Sequence, residues 1–214
     1  MKVLKIAAAV LILGASSASA AVFDIMIGDN DGYGFGLADN GVTTAADIGI
    51  FAADFRSAAE IAATNGAEQT DINSALFSPL SETANFIFSG FGGPVTSATL
   101  TIDIGGLQVS TFGETLASFN GVLQSGLLAL DQGIFQTNVL SFVLDAAALA
   151  NLNADGFFDL ELDRNGNGDA IFIDYVSLSG EAQISPIPVP AAGFMLLGAL
   201  GGLAAVRRRK HKVA

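Results

Sequence analysis

Residues 96–104 alternate without interruption: Ala98, Leu100, Ile102 and Ile104 form one face, and Ser97, Thr99, Thr101 and Asp103 the other. A period of two predicts a strand with one face in a core and one in water. Residues 21–27 repeat the pattern, with Phe23, Ile25 and Ile27 against Val22, Asp24 and Met26. Further runs of strand-forming residues lie at 85–89, 139–145, 157–163 and 170–179. Gly, Asn and Asp clusters separate them, notably Gly28 to Gly36, Gly105-Gly106 and Arg164 to Asp169. Helical spacing shows in residues 43–64, where Ile48, Phe51, Phe55, Ala58 or Ala59, and Ile61 share a face behind a Thr44 cap. A loop with one helical turn is the rival there, and residues 146–152 predict a second helical turn. Many short strands joined by turn residues predict a mainly β fold: an antiparallel β-sandwich, jelly-roll-like, with one short helical segment.

The two ends follow different rules. Lys2 and Lys5 precede an apolar run from Ile6 to Leu13, and Ala18-Ser19-Ala20 fits a small-x-small cleavage site before Ala21. That order predicts a signal helix over residues 1–20, removed by signal peptidase. At the other end, Pro186-Ile187-Pro188-Val189-Pro190-Ala191 leads into an apolar run to Val206, then Arg207, Arg208, Arg209, Lys210, His211 and Lys212. Residues 191–206 cover roughly 24 Å as a helix, short of the ~30 Å hydrocarbon core, and the preceding Ile187 to Pro190 bring the run close to a span. The basic cluster is expected on the cytoplasmic side.

Pro188-Val189-Pro190-Ala191, a transmembrane helix and Arg207-Arg208-Arg209 together resemble the VPLPA-CTERM form of the PEP-CTERM sorting domains, with Ile187 in place of Val and Val189 in place of Leu. The resemblance covers residues 186–214 alone. It implies an exported protein of a Gram-negative bacterium, held transiently in the inner membrane and processed by an exosortase-like membrane protease. Delivery to the cell surface or extracellular (biofilm) matrix is what the family implies.

Without the two ends, residues 21–185 form one domain by length. Their charge balance is extreme: Arg56 and Arg164 stand against 21 acidic residues, a net of −19, whereas the whole chain carries −12. Such a domain repels nucleic acid and anionic lipid and favours divalent cations. There is no cysteine, and the one histidine, His211, lies in the tail. Ser-His-Asp, thiol and His-ligated zinc chemistry are therefore excluded from the domain. It has no Trp either, only Tyr33 and Tyr175 as polar-tipped aromatics, while Phe occurs 16 times in the chain and reads as core where it sits in strand patterns. We expect no enzyme.

The chemistry that remains is cation binding. Asp163, Asn165, Asn167 and Asp169 alternate with small or flexible residues, and Gly168 occupies the sixth position of the D-x-[DN]-x-[DN]-G calcium loop. Position twelve is Asp174, shorter than the Glu of an EF-hand and on a predicted strand. Three readings stay open. The loop binds Ca²⁺ by itself; Asp174 instead joins Asp24, Asp29 or Asp31 in a site between the first and last strands; or residues 163–169 are a solvated hairpin turn around Asn165-Gly166. The order of strands, closing on residues 172–178, is similar to carbohydrate-binding-module and galactose-binding-like sandwiches, which implies a structural Ca²⁺ between the terminal segments. The expected function is a non-enzymatic structural or adhesive role at the surface, Ca²⁺-stabilised. A lectin-like module for exopolysaccharide is the alternative.

Overall fold

The computed structural model describes residues 19–42, 56–64, 70–71, 83–133 and 136–184. The strands are β1 (Ser19–Gly28), β2 (Gly41–Val42), β3 (Thr83–Ser89), β4 (Val95–Gly105), β5 (Leu116–Phe119), β6 (Val122–Leu123), β7 (Gln136–Val143), β8 (Phe157–Asp163) and β9 (Phe172–Ile184). Helices are few and short: α1 (Ala58–Thr64), α2 (Val109–Phe112) and α3 (Ala146–Asp155). One sheet has the order β1-β9-β4-β7-β2 and the other β3-β8-β5-β6. The pairs β2–β7, β3–β8, β4–β7, β4–β9, β5–β6 and β5–β8 are antiparallel.

The alternation of β4 explains how the sheets meet. Leu100, Ile102 and Ile104, with Val176 and Leu178 of β9, bury their side chains in one cluster with Phe86 and Phe88 of β3, Phe158, Leu160 and Leu162 of β8, and Ala117 and Phe119 of β5. Phe158 sits centrally there, its ring 5.2 Å from Phe119 and 6.2 Å from Phe88. Two sheets closing one apolar core make a β-sandwich. Ala20–Ile184 form one compact unit.

Gly28 at the end of β1 lies against Asp174 of β9: a Cβ built on it would come 2.5 Å from the Asp174 carbonyl oxygen. Phe23 stacks on Phe91 at 5.0 Å, beside the stretch where Pro94 accepts from Gln183 near the end of β9. The first and last strands of the domain are therefore neighbours that run in opposite directions.

Predicted and observed strands coincide closely at β1, β3, β4 and β8. β9 runs five residues past the predicted end at Ser179, to Ile184, and β7 begins at Gln136 rather than at Val139. The 146–152 helical turn is the start of α3, capped by Asp145, whose side chain accepts from the Ala148 N–H at 2.8 Å, and closed by left-handed Gly156. The hairpin β5–β6 is a feature the hydrophobic pattern does not announce. Its signal is Asn120-Gly121, which adopts positive φ at both residues (46° and 74°), as a two-residue hairpin turn requires. Of the helix expected over 43–64, residues 58–64 are α1, and 43–55 lie outside the described residues. So do residues 1–18 and 185–214, on which the expected signal and sorting helices fall. Among the described residues no helix is long and apolar enough to cross a membrane.

Candidate metal centre

The centre starts from an irregularity in the β4–β9 pair. Ile102 faces Val176 and Ile104 faces Ile173, so two β9 residues, Asp174 and Tyr175, oppose the single Asp103. An extra residue in one strand is a β-bulge, which re-aims side chains. Ile102, Ile104, Ile173 and Val176 all point into the core. Asp103 and Asp174 point to the other face of the sheet, where a strand pattern expects water. Both are instead fully buried.

The cover is the turn Gly32–Gly36. Its backbone closes with Gly36 N–H donating to Asp31 O (2.9 Å) and Leu37 N–H to Gly32 O (3.1 Å). Gly32 must be glycine: its φ is +78°, and a Cβ would meet the Leu37 nitrogen at 2.2 Å. The turn drives Tyr33 onto the sheet, 1% exposed, with its ring edge-on to Phe172 at 5.0 Å and Leu37 beside it. The Tyr33 hydroxyl donates to Asp103 Oδ1 at 2.5 Å, and the Tyr33 and Gly32 N–H groups donate to Asp174 at 2.6 and 3.3 Å. Two buried carboxylates thus clasp one turn. The other Asp103 oxygen is buried and accepts no hydrogen bond among the described residues.

Outside this clasp the turn presents carboxylates. Asp31 accepts from the Gly34 N–H at 2.5 Å through Oδ1. Asp29, Asp31 and Asp71 each offer an oxygen, and the three oxygens lie within 4.8 Å of one another. Asp71 is 1% exposed. It is held in the left-handed region (φ 53°) while its N–H donates to Ile173 O at 2.7 Å. Its neighbour Thr70 packs on Gly28. Carboxylates this close repel by roughly 3 kcal/mol per pair at an effective dielectric of 20. Three carboxylates give up to six oxygens, the hard donor set that Ca²⁺ takes. The residues present therefore fit that ion.

The electrostatics run inward from there. Burial pushes the Asp103 carboxyl up to about 7; the Tyr33 hydrogen bond pulls it down, and Asp174 and Asp39 push it further up. Burial raises Asp174 to about 6 against the Tyr33 and Gly32 hydrogen bonds, with Asp31 and Asp29 adding to the rise. The Tyr33 phenol is driven far above its ordinary value by burial and then by Asp103. Both carboxyls bind their proton more tightly in the native protein than in the unfolded chain. Their contribution is complete below pH 4 and is lost as pH rises through 6 to 7. In chelator, Tm is expected to be roughly 5–10 °C higher at pH 5 than at pH 8. A thermal melt series checks this, and a flat or opposite profile would count against these assignments.

The candidate residues from the sequence separate into two places. Asp29 and Asp31 come together, with Asp174 directly behind them, holding the turn through its two oxygens. Asp24 is exposed on β1. The loop from Asp163 to Asp169 is elsewhere, and its Asp163, Asn167 and Asp169 oxygens accept from backbone N–H groups of the loop and its neighbours. Asp163 accepts from Asn165 N–H (2.7 Å) and Asn167 from Asp169 N–H (2.9 Å), while Asp169 accepts from Gln108 N–H (2.8 Å) and Ala170 N–H (2.9 Å). Asp71 is the residue that sequence reasoning missed. It has no motif around it, and its partners are about forty residues away. Of the residues at the expected cleavage site, Ala20 and Ala21 lie in β1, and Ala18 lies outside the described residues. The sorting residues Pro188 to Ala191 and Arg207 to Arg209 lie outside the described residues.

No protein-family model matches the chain, and no curated protein does. Solved structures similar to parts of it include two from different organisms. One is dimeric latent PorU from Porphyromonas gingivalis, at 16% identity and a TM-score of 0.31 over 50% of this chain and 11% of that one. The other is a GH26-CBM35 β-(1,4)-mannanase from Podospora anserina, at 15% identity and a TM-score of 0.27 over 50% of this chain and 20% of that one. Both likenesses are too slight to carry a functional assignment, and each spans a small part of a much longer protein.

Proposed function

We propose that this is an exported, non-enzymatic protein of the cell surface or extracellular matrix, sorted by an exosortase-type system, whose jelly-roll-like sandwich is stabilised by Ca²⁺ at Asp29, Asp31 and Asp71. The sorting part rests on the order of the two ends: basic, apolar, small-x-small in front, and Pro188-Val189-Pro190-Ala191, apolar run, Arg207-Arg208-Arg209 behind. Mass spectrometry of the protein from its own cells, with and without the processing protease, tests it. The expected mature form lacks both ends only when the protease is present. Full-length chain in the cytosol in both would end the proposal.

The cation part rests on one observation, the convergence of three carboxylate oxygens within 4.8 Å from two distant stretches of chain. A site of the weak extracellular class, with Kd on the order of 10⁻⁴ M, would contribute about 2.7 kcal/mol at a hundredfold excess of Ca²⁺, or roughly 5–10 °C in Tm. Asp71→Asn is expected to remove that gain and Asp163→Asn to leave it. The reverse result would move the site to the 163–169 loop, and no gain in the parent protein would remove it altogether.

Among the described residues the exposed aromatic rings are those of Phe112 and Phe157. Tyr33 and Tyr175 are both buried and the chain has no Trp. A glycan array with and without Ca²⁺ separates an adhesive role through sugars from a structural one.

A further inference from the structure

Asparagine followed by glycine is chemically labile, because glycine leaves its own backbone nitrogen open to attack the preceding side chain. This chain has five such pairs, beginning at Asn40, Asn65, Asn120, Asn165 and Asn167. Asn65 lies outside the described residues. The other four have the same local sequence chemistry and differ in how the fold holds the side chain.

Asn120 is held at three points: its Nδ2 donates to Asp155 Oδ2 (2.8 Å) and Phe157 O (3.0 Å), and its Oδ1 accepts from Asp159 N–H (3.2 Å). Asn167 donates to Thr115 Oγ1 (3.2 Å) and Gly113 O (3.4 Å) and accepts from Asp169 N–H (2.9 Å). Asn40 accepts from Val139 N–H (3.0 Å), and Gly41 is tied into β2. Asn165 differs. It is exposed at the tip of the β8–β9 connection, and among the described residues its side chain makes no hydrogen bond. Its backbone is turned (φ 52°, with Gly166 at 66°) by the Asn167 N–H bond to Arg164 O at 2.9 Å. Open space surrounds Gly166: a Cβ built there meets nothing within 4 Å.

We propose that, among the Asn-Gly pairs of the described residues, Asn165 is the modification site of the folded protein, converting spontaneously to aspartate and isoaspartate. The Gly166 nitrogen, losing its proton to water or hydroxide, bonds to the Asn165 Cγ. The Cγ–Nδ2 bond breaks and ammonia leaves, giving a five-membered imide. Water then opens the imide at one carbonyl or the other. One opening restores the main chain with an aspartate side chain, and the other runs the main chain through the former side chain. Either product adds one negative charge between Asp163 and Asp169, in the loop whose spacing already resembles a cation loop.

Ageing the full-length folded protein at mildly alkaline pH in heavy-oxygen water, followed by peptide mapping with fragmentation that separates isoaspartate, tests this. Asn165 is expected to convert at least about tenfold faster than Asn120, the equivalent of about 1.4 kcal/mol for freeing a held side chain, and faster than Asn167. In strong denaturant the rates are expected to converge. Asp155→Ala, which removes one partner of Asn120, should speed Asn120 severalfold and leave Asn165 unchanged. Equal rates in the folded protein, the same ranking in denaturant, or no response of Asn120 to Asp155→Ala would each overturn the proposal.

Discussion

Tyr33→Ala is expected to cost about 3–5 kcal/mol, the range for removing a buried large aromatic side chain. The ring is 1% exposed and packs edge-on against Phe172. Its loss opens a space under the turn and removes the hydroxyl that Asp103 accepts. Tyr33→Phe separates these contributions. It keeps the ring and leaves the buried Asp103 carboxyl without its partner, which is expected to cost about 1–3 kcal/mol. Urea denaturation with a constant slope measures both. Because Asp29 and Asp31 flank the turn that Tyr33 anchors, Tyr33→Ala should also blunt the stabilisation by Ca²⁺, while Tyr33→Phe retains more of it. A loss below about 1 kcal/mol for Tyr33→Ala would mean that the ring does not hold the turn.

Gly180→Ala is expected to cost about 3 kcal/mol, the upper part of the range for forced overpacking. Gly180 of β9 faces Ala98 of β4. A Cβ there would stand 2.0 Å from the Ser97 carbonyl oxygen and 2.9 Å from the Ala98 Cα. These are backbone atoms of the neighbouring strand, so the two strands themselves must part. Gly133→Ala is the control. A Cβ at Gly133 meets nothing within 4 Å, and the substitution is expected to change stability by no more than about 0.5 kcal/mol. Equal effects at the two positions would show that chain stiffening, rather than the close approach of β4 and β9, decides the outcome.

Much of the sandwich was legible because burial imprints period two on a strand. Ala98, Leu100, Ile102 and Ile104 face the core as their alternation predicts, and β8 matches its predicted bounds. Asp103 shows where that logic stops. Alternation places it correctly on the far face of β4, but only the long-range arrival of the Gly32–Gly36 turn decides that this face is covered. The bulge at Asp174 and Tyr175 is equally silent, since it is a mismatch between two strands and not a property of either. Asp29 and Asp31 could be nominated from their turn, whereas Asp71 could not, because nothing local marks it. The loop at 163–169 shows the opposite case. Oxygen spacing suited to a cation is also spacing suited to side chains that satisfy their own turn, and sequence alone does not rank the two.

The neighbouring, oppositely directed β1 and β9 bear on how the domain answers to load. Ser19 and Ile184 leave from the same end of that strand pair. Tension applied between them pulls the strands apart sideways, so the ladder opens one rung at a time from its free end and never shears as a whole. An ion seated between residues 29–31 and 71, beyond the far end of β1, would act as a stop on that unzipping.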